Sequence, residues 1–211
     1  MKQLLVVDLH LESKYKRNFD KLVTRIKEVG GLTAESDFES LTKMDPESLN
    51  LTYSGVILGG TEALWTKTVD RARFVDLIQF LPKVTLPTLG ICGGHQALAL
   101  AHGGSVIKSK SGLVQGFRTV SLEDKDTLLA GLPAKIRVMQ SHKEEVKILP
   151  SGFVRTASSS DTENEGMKHN ERPVYGVQFH PERWNEENQA GKIILANFVH
   201  KIALQENLKN S

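Results

Sequence analysis

Pro87-Thr88-Leu89-Gly90-Ile91-Cys92-Gly93-Gly94-His95-Gln96 is the stretch that decides how this chain folds. Leu86 to Ile91 is a short apolar run, which predicts a buried strand, and Pro87 lies near its start, where a missing N–H is tolerated. Cys92-Gly93-Gly94 is a turn. His95 to His102, rich in Ala and Leu, predicts a helix that stops at Gly103-Gly104. Gly90-Ile91-Cys92-Gly93-Gly94 therefore has the form of a nucleophile elbow with cysteine in the place of serine. Small neighbours permit a sharp, strained turn that lifts the sulfur out of the sheet. The helix N-terminus favours a thiolate, and the amide after the nucleophile points toward a bound carbonyl oxygen. The alternative is a free cysteine buried as a small hydrophobe. Glycines at 90, 93, 94 and 103 argue against packing alone, because glycine adds no core volume and costs backbone entropy.

Outward from the elbow, the pattern alternates strands and helices. Leu4 to Val7 is a continuous apolar run, and Phe19, Leu22, Val23 and Ile26 follow at helical spacing before Gly30-Gly31. Asp45 to Asn50 reads as a connection or short turn. Tyr53 to Leu58 is a strand running into Gly59-Gly60, and Val69 to Leu81 a helix with Ala72, Val75, Leu77 and Phe80 on one stripe, closed by Pro82. From Ser105 to Ser158 the helical period disappears. Val106–Ile107, Phe117–Leu122, Lys135–Met139, Glu145–Ile148 and Phe153–Ser158 read as strands of an antiparallel or mixed subsection. Ser159 to Arg172 is polar and predicts an exposed loop or hairpin turn. Pro173 to Phe179 is the last strand, and a helix is expected from about Asn188 to Leu204. Helices and parallel-looking strands around a strand-rich insertion predict an α/β three-layer sandwich, and 211 residues suit a single domain over the whole chain, 1–211.

Lys and Arg number 27 against 25 Asp and Glu, with no dense positive run, so nothing calls for a nucleic-acid partner. Lys14 to Arg17 (KYKR) reads as a solvated face at the start of a helix. No window approaches the apolar span of about 20 residues that crosses a bilayer. The N-terminus lacks the small-residue cleavage site of an export signal. A lone cysteine excludes an internal disulfide and fits a reducing compartment, so a cytoplasmic protein is expected, and the Asn50-Leu51-Thr52 tripeptide is a chance glycosylation match.

Cys92 needs a base, and seven histidines compete: His10, His95, His102, His142, His169, His180 and His200. His180 is the best placed. It follows an apolar strand, as Cys92 does, and parallel strands bring their C-terminal ends to one side of the sheet. Across Pro181 lies Glu182, able to turn back and hold the imidazole in the tautomer that accepts a thiol proton. His10, His95 and His142 form no recognisable metal-ligand cluster, and no phosphate-binding loop of the Gly-x-x-x-x-Gly-Lys type occurs, so neither a metal nor another cofactor is expected.

Tyr53–Gly60 (YSGVILGG), Pro87–Gln96 (PTLGICGGHQ), Ser141-His142 and Tyr175–Glu182 (YGVQFHPE) together resemble the class I, triad-type glutamine amidotransferases, and within them the glutaminase part of the GMP synthases. The likeness spans nearly the whole chain in the right order. It implies a flavodoxin-like fold with a mostly parallel central sheet. It also implies a Cys92-His180-Glu182 triad that hydrolyses the side-chain amide of L-glutamine through a γ-glutamyl thioester. By the same resemblance the amides of Gly60 and Gly93 form the oxyanion hole, Gly59 shapes that loop, and Gln96 recognises substrate. Ser141 and His142 match a turn contacting the amino-acid end of glutamine, though His142 can equally be a loop histidine.

The chain departs from the family at Gly59-Gly60-Thr61-Glu62-Ala63, where Gly-Gly-Pro-x-Ser is common, and at Asp8-Leu9-His10. The loss of proline leaves the loop less preset and places Glu62 near the pocket rim. With no residues left over for a synthase domain, a stand-alone glutaminase subunit serving a separate, ammonia-accepting synthase is expected. A hydrolase of another γ-glutamyl amine or peptide, motivated by the altered loop, and a non-catalytic interaction protein remain as alternatives.

Overall fold

Strands that are apolar on both faces need cover on both sides, and the chain supplies it by alternating strands with helices. The computed structural model describes residues 2–124 and 127–203. In chain order these residues form β1 (Gln3–Asp8), α1 (Lys16–Glu28), β2 (Thr33–Asp37), α2 (Phe38–Leu41), α3 (Pro46–Thr52), β3 (Tyr53–Leu58), α4 (Thr68–Ala72) and α5 (Val75–Phe80). β4 (Thr88–Ile91) and α6 (Gly93–Ala101) follow, then β5 (Ser105–Lys108), β6 (Val114–Leu122), β7 (Lys135–His142), β8 (Glu144–Ile148), β9 (Phe153–Ser158), β10 (Gly166–His169), β11 (Val174–Val177) and α7 (Ala190–Asn197).

Among the described residues, one sheet runs in the order β2-β1-β3-β4-β11-β10-β9-β6-β7, and β5 pairs with β8 in a separate ribbon. β2, β1, β3, β4 and β11 are mutually parallel, whereas β11 to β7 pair antiparallel. Alternation along β1 shows the two covered faces: Leu4 and Val6 pack with Phe19, Leu22 and Ile26 of α1 and Ile194 of α7. Leu5 and Val7 join the opposite core with Leu77 of α5 and Leu98 of α6. The expected three-layer α/β sandwich is therefore present, and its antiparallel subsection is split: β9, β6 and β7 extend the central sheet, whereas β5 and β8 form the separate ribbon.

Several expectations are corrected. Of the two readings of Ser159 to Arg172, the hairpin turn holds and the exposed loop does not: residues 159–165 join the antiparallel pair β9 and β10, the latter being Gly166–His169, and Thr162, Asn164 and Glu165 are buried. Polar residues can be buried there because each has partners. Asn164 Nδ2 donates to the carbonyls of Val146 and Lys147, and the Glu165 carboxylate accepts from Gln140 and Ser159. Burial pushes the Glu165 carboxyl up to about 7 against those hydrogen bonds. The helix expected over 69–81 breaks at Arg73-Phe74. Phe74 turns inward to lie 4.6 Å from the Phe38 ring and 4.7 Å from Trp65, centroid to centroid, while Val75, assigned to the apolar stripe, is exposed. Asp45 to Asn50 is the start of α3, with Asp45 capping through the Ser48 amide and Pro46 in the first turn. The tail helix gives way to a π-helical turn at Phe198–Ala203, and Leu204 lies outside the described residues.

Candidate active site

β4 and β11 are neighbours in the parallel part of the sheet, with Gly90 opposite Gly176 and Ile91 opposite Val177. This register brings Cys92 and the segment after Val177 to the same edge. Cys92 adopts φ 51° and ψ −101° at the N-cap of α6, a backbone conformation that L-residues rarely hold without a surrounding constraint. The constraint is visible: the Cys92 amide donates to Val177 O at 2.8 Å and its carbonyl accepts from the Gln96 amide at 3.1 Å. Glycine at 90 and 94 is required by close approach, since a Cβ on Gly90 would lie 2.5 Å from Gly94 backbone atoms, and one on Gly94 2.5 Å from Leu58 O.

His180 is held from the opposite side by its amide, which donates to Met139 O at 2.8 Å. A 3-10 turn over Pro181–Arg183 folds the chain back, so that Glu182 Oε1 lies 2.7 Å from His180 Nδ1. The turn fits against α7 because residue 191 is glycine: a Cβ there would collide with the carbonyl of Pro181. With Nδ1 donating to Glu182, Nε2 is the nitrogen left for Cys92. Burial pulls the imidazole downward, but the Glu182 carboxylate and then Cys92 outweigh it and raise His180 well above the ordinary histidine range. Burial likewise opposes ionisation of Glu182, yet the His180 charge, aided by Arg183, holds its carboxyl below the usual value. The pair therefore exists as carboxylate and imidazolium when the thiol has yielded its proton.

Gly60 lies over this pair: a Cβ on it would sit 3.2 Å from His180 Cε1 and 3.9 Å from Cys92 Cβ. Gly93 faces the same loop, and a Cβ there would be 2.5 Å from Thr61 Cγ2 and 2.7 Å from the Thr61 nitrogen. The Gly59 carbonyl ties the two walls together by accepting from the Gly94 amide at 3.0 Å. Among the described residues neither the Gly60 nor the Gly93 amide has an acceptor, which leaves two N–H groups available beside Cys92.

Gln96 is buried on α6 and lines the cavity, but its amide nitrogen is committed to Glu144 O at 2.7 Å and Gln178 Oε1 at 3.0 Å, so only its Oε1 remains to meet a ligand. Ser141 and His142 are not in a turn; they end β7. Cys92 Sγ approaches Ser141 O at 3.9 Å. His142 Nδ1 pairs with Glu144 O at 3.0 Å, and burial lowers the imidazole to about 4. His142 is thus a neutral wall of the site. His95, the nearest competitor in sequence, is fully buried with Nε2 on Asn164 O, and burial lowers it to about 3. A cavity of about 580 Å³ opens on Cys92, Thr61, Gln96, Ser141 and His142. Among the described residues no cluster of His, Cys, Asp or Glu is placed to hold a metal, and no helix is long and apolar enough to cross a membrane.

Sequence reading missed Gln178 and Glu144. Gln178 donates to Cys92 Sγ at 3.8 Å, and Glu144 accepts from the amides of Trp65 and Thr66. Gln178 had a readable signal, since a polar residue in the otherwise apolar run Val174 to Phe179 demands a buried partner. Glu144 had none, because its partners lie across the fold.

Cysteine elbow, His-Glu pair and glycine wall thus share one sheet edge, and residues 11–202 match the family model for class-I glutamine amidotransferases. The chain belongs to this family. It is 44% identical over 194 residues to the glutamine-hydrolysing GMP synthase subunit of Methanosarcina acetivorans, covering 90% of this chain and 88% of that protein. Identity to the corresponding subunit of Methanopyrus kandleri is 34%, over 93% and 96% of the two chains. A solved structure from Thermoplasma acidophilum, provisionally assigned as a GMP synthase subunit, superposes with a TM-score of 0.82 at 28% identity, over 100% of this chain and 98% of that one. A glutamine amidotransferase from Thermotoga maritima shares the fold, with a TM-score of 0.72 at 22% identity and 96% and 99% coverage. Glutamine-amide chemistry in a cysteine-nucleophile enzyme, expected from the sequence, is what this family membership carries.

Proposed function

We propose that this chain is the glutamine-hydrolysing subunit of a two-subunit GMP synthase, working in the cytoplasm as one unit over residues 1–211, and that Cys92, His180 and Glu182 are its catalytic triad. The observation carrying this reading is the 2.7 Å His180–Glu182 pair, set beside Cys92 at the neighbouring ends of β4 and β11. The extent of the likeness to the glutamine-hydrolysing GMP synthase subunits supports the choice of acceptor reaction.

The Cys92 sulfur, its proton taken by His180 Nε2, attacks the side-chain amide carbon of glutamine. The oxygen of the resulting tetrahedral species lies between the Gly60 and Gly93 amides. His180 returns the proton to the departing nitrogen, the C–N bond breaks, and ammonia leaves a γ-glutamyl thioester. Water, deprotonated by His180, then attacks the same carbon. The C–S bond breaks, and glutamate departs as the thiol is regenerated. Glu182 stays ionised throughout and stabilises each imidazolium stage. Gln96 Oε1 and the end of β7 at Ser141 and His142 border the space for the amino-acid end of the substrate.

Ammonia and glutamate release from glutamine, measured separately with and without the synthase partner and its nucleotide substrates, tests the assignment. Release should disappear in Cys92→Ala. Glutamate release surviving that substitution would remove Cys92 as nucleophile, and hydrolysis of γ-glutamyl amines in preference to glutamine would redirect the substrate.

A further inference from the structure

The loop leaving Gly60 has Thr61 where proline would have preset it, yet it is firmly held. Leu64 N donates to Asp70 Oδ2 at 2.9 Å. Trp65 N donates to Glu144 Oε2 at 2.6 Å, and Thr66 places both its amide and its hydroxyl on Glu144 Oε1. Glu62 works in the other direction: its Oε1 accepts the amides of Leu11 and Glu12, each at 2.9 Å, and so pins the loop to the segment after β1. Two of these carboxylates, Glu62 and Glu144, reach across the fold, by 50 and 78 residues or more in sequence.

We infer that Glu62 and Glu144 are positioning residues that replace the proline's function, holding the loop so that the Gly60 amide meets the oxyanion of the glutaminase reaction. This rests on the glutaminase reading above. Its physical basis is the lack of slack around Gly60. Thr61 is seated on Gly93 so closely that no Cβ fits between them, and Ala63 N closes the turn on Thr61 Oγ1 at 3.1 Å. Glu62 is two residues from the Gly60 amide, and releasing its clamp lets the loop lift toward the open cavity that it borders. A displacement of about 1 Å in a preorganised donor is enough to cost about 100-fold in rate.

The neutral isostere separates the clamp from charge. Glu62→Gln keeps the Oε1 acceptor for both amides, whereas Glu62→Ala removes it. Glutamine hydrolysis is measured on the full chain together with its synthase partner, alongside Cys92 alkylation by iodoacetamide, a displacement at carbon that needs no oxyanion hole. Glu62→Ala is expected to lower kcat by about 10- to 100-fold, with KM and the alkylation rate little changed. Glu62→Gln should stay within about two- to three-fold of wild type in all three, the size of effect expected when the hydrogen bonds persist. Glu144→Ala should follow Glu62→Ala.

A rise in KM at unchanged kcat would make Glu62 a substrate-binding group and overturn the inference. So would alkylation falling in step with kcat, or a Glu62→Gln variant whose kcat drops 10-fold or more. If Glu62→Ala does not fold, Glu62→Asp, whose shorter side chain withdraws the acceptor from both amides, takes its place, and a kcat within about two-fold of wild type there would overturn the inference. Cys92→Ala run in parallel keeps the two claims apart: glutamate release that survives it sinks the Cys92 triad, no release from the wild type with its partner sinks the glutaminase reading, and Cys92-dependent release insensitive to Glu62 sinks only the positioning inference.

Discussion

Gln178 donates its side-chain amide to Cys92 Sγ at 3.8 Å from a fully buried position two residues ahead of His180. Its Oε1 accepts from Gln96, so one side chain ties the elbow to the helix behind it. A donor aimed at sulfur stabilises the thiolate more than the thiol. Gln178→Leu should therefore slow both iodoacetamide alkylation of Cys92 at neutral pH and glutamine hydrolysis, by about 5- to 10-fold, the worth of roughly 1 to 1.4 kcal/mol. Because both rates depend on the thiolate, they should fall together, unlike the Glu62→Ala case. Alkylation at the wild-type rate would show that this contact does not stabilise the thiolate.

Glu165 gives a pH prediction whose sign is fixed by burial. Its carboxyl is raised from 4.5 to about 7, so between those values the folded protein binds a proton that the unfolded chain has released. Stability on this account is full below about pH 4.5 and declines as pH rises through 7, by up to about 3 kcal/mol. Glu165→Gln removes the titration. It also presents an N–H to Gln140, whose Oε1 lacks a partner among the described residues and can take that donor if its amide turns over. Urea denaturation from pH 4.5 to 8 should show a flatter profile for Glu165→Gln, with the variant gaining on wild type toward pH 8. Parallel profiles would mean that Glu165 ionises normally.

How much of this is legible in the sequence follows from the range of the interactions. The elbow can be read from Gly90 to Gly94 because the strand, turn and helix that it joins are consecutive in sequence, and Gly90 is demanded by Gly94 four residues on, although what crowds Gly93 and Gly94 is the distant Thr61 and Leu58. The His180–Glu182 pair is equally local, set by one proline. What escapes depends on distant segments. Ser159 to Arg172 reads as solvent-exposed because its polarity is visible and its partners across the fold, Val146, Lys147 and Gln140, are not. β2 (Thr33–Asp37) lies at the sheet edge with no apolar run, so pattern alone does not reveal it. Glu62 stands out only as a departure at the pocket rim, since its partners, the amides of Leu11 and Glu12, leave no mark in sequence. The strand end at Ser141-His142 reads as a turn because polar residues close β7 just where it enters the site.

Gly93 offers the sharpest test of how closely the two walls of the site must meet. A methyl group at this position would lie 2.7 Å from the Thr61 nitrogen and 2.5 Å from Thr61 Cγ2. The side-chain carbon can rotate away, but the backbone nitrogen belongs to a loop held by Glu62, Asp70 and Glu144, so the strain must pass to the Gly60 segment or to the start of α6. Gly93→Ala is therefore expected to cost about 1 to 3 kcal/mol of stability and to lower kcat by about 100-fold or more, as loss of one oxyanion donor does. Gly103→Ala provides the control. Its Cβ meets nothing within 4 Å, but φ of +90° makes alanine strained there, at the far end of α6. It should lose comparable stability in urea denaturation while keeping kcat near wild type, so a Gly93→Ala protein that hydrolyses glutamine as fast as the Gly103→Ala control would show that the Thr61–Gly93 contact does not govern catalysis.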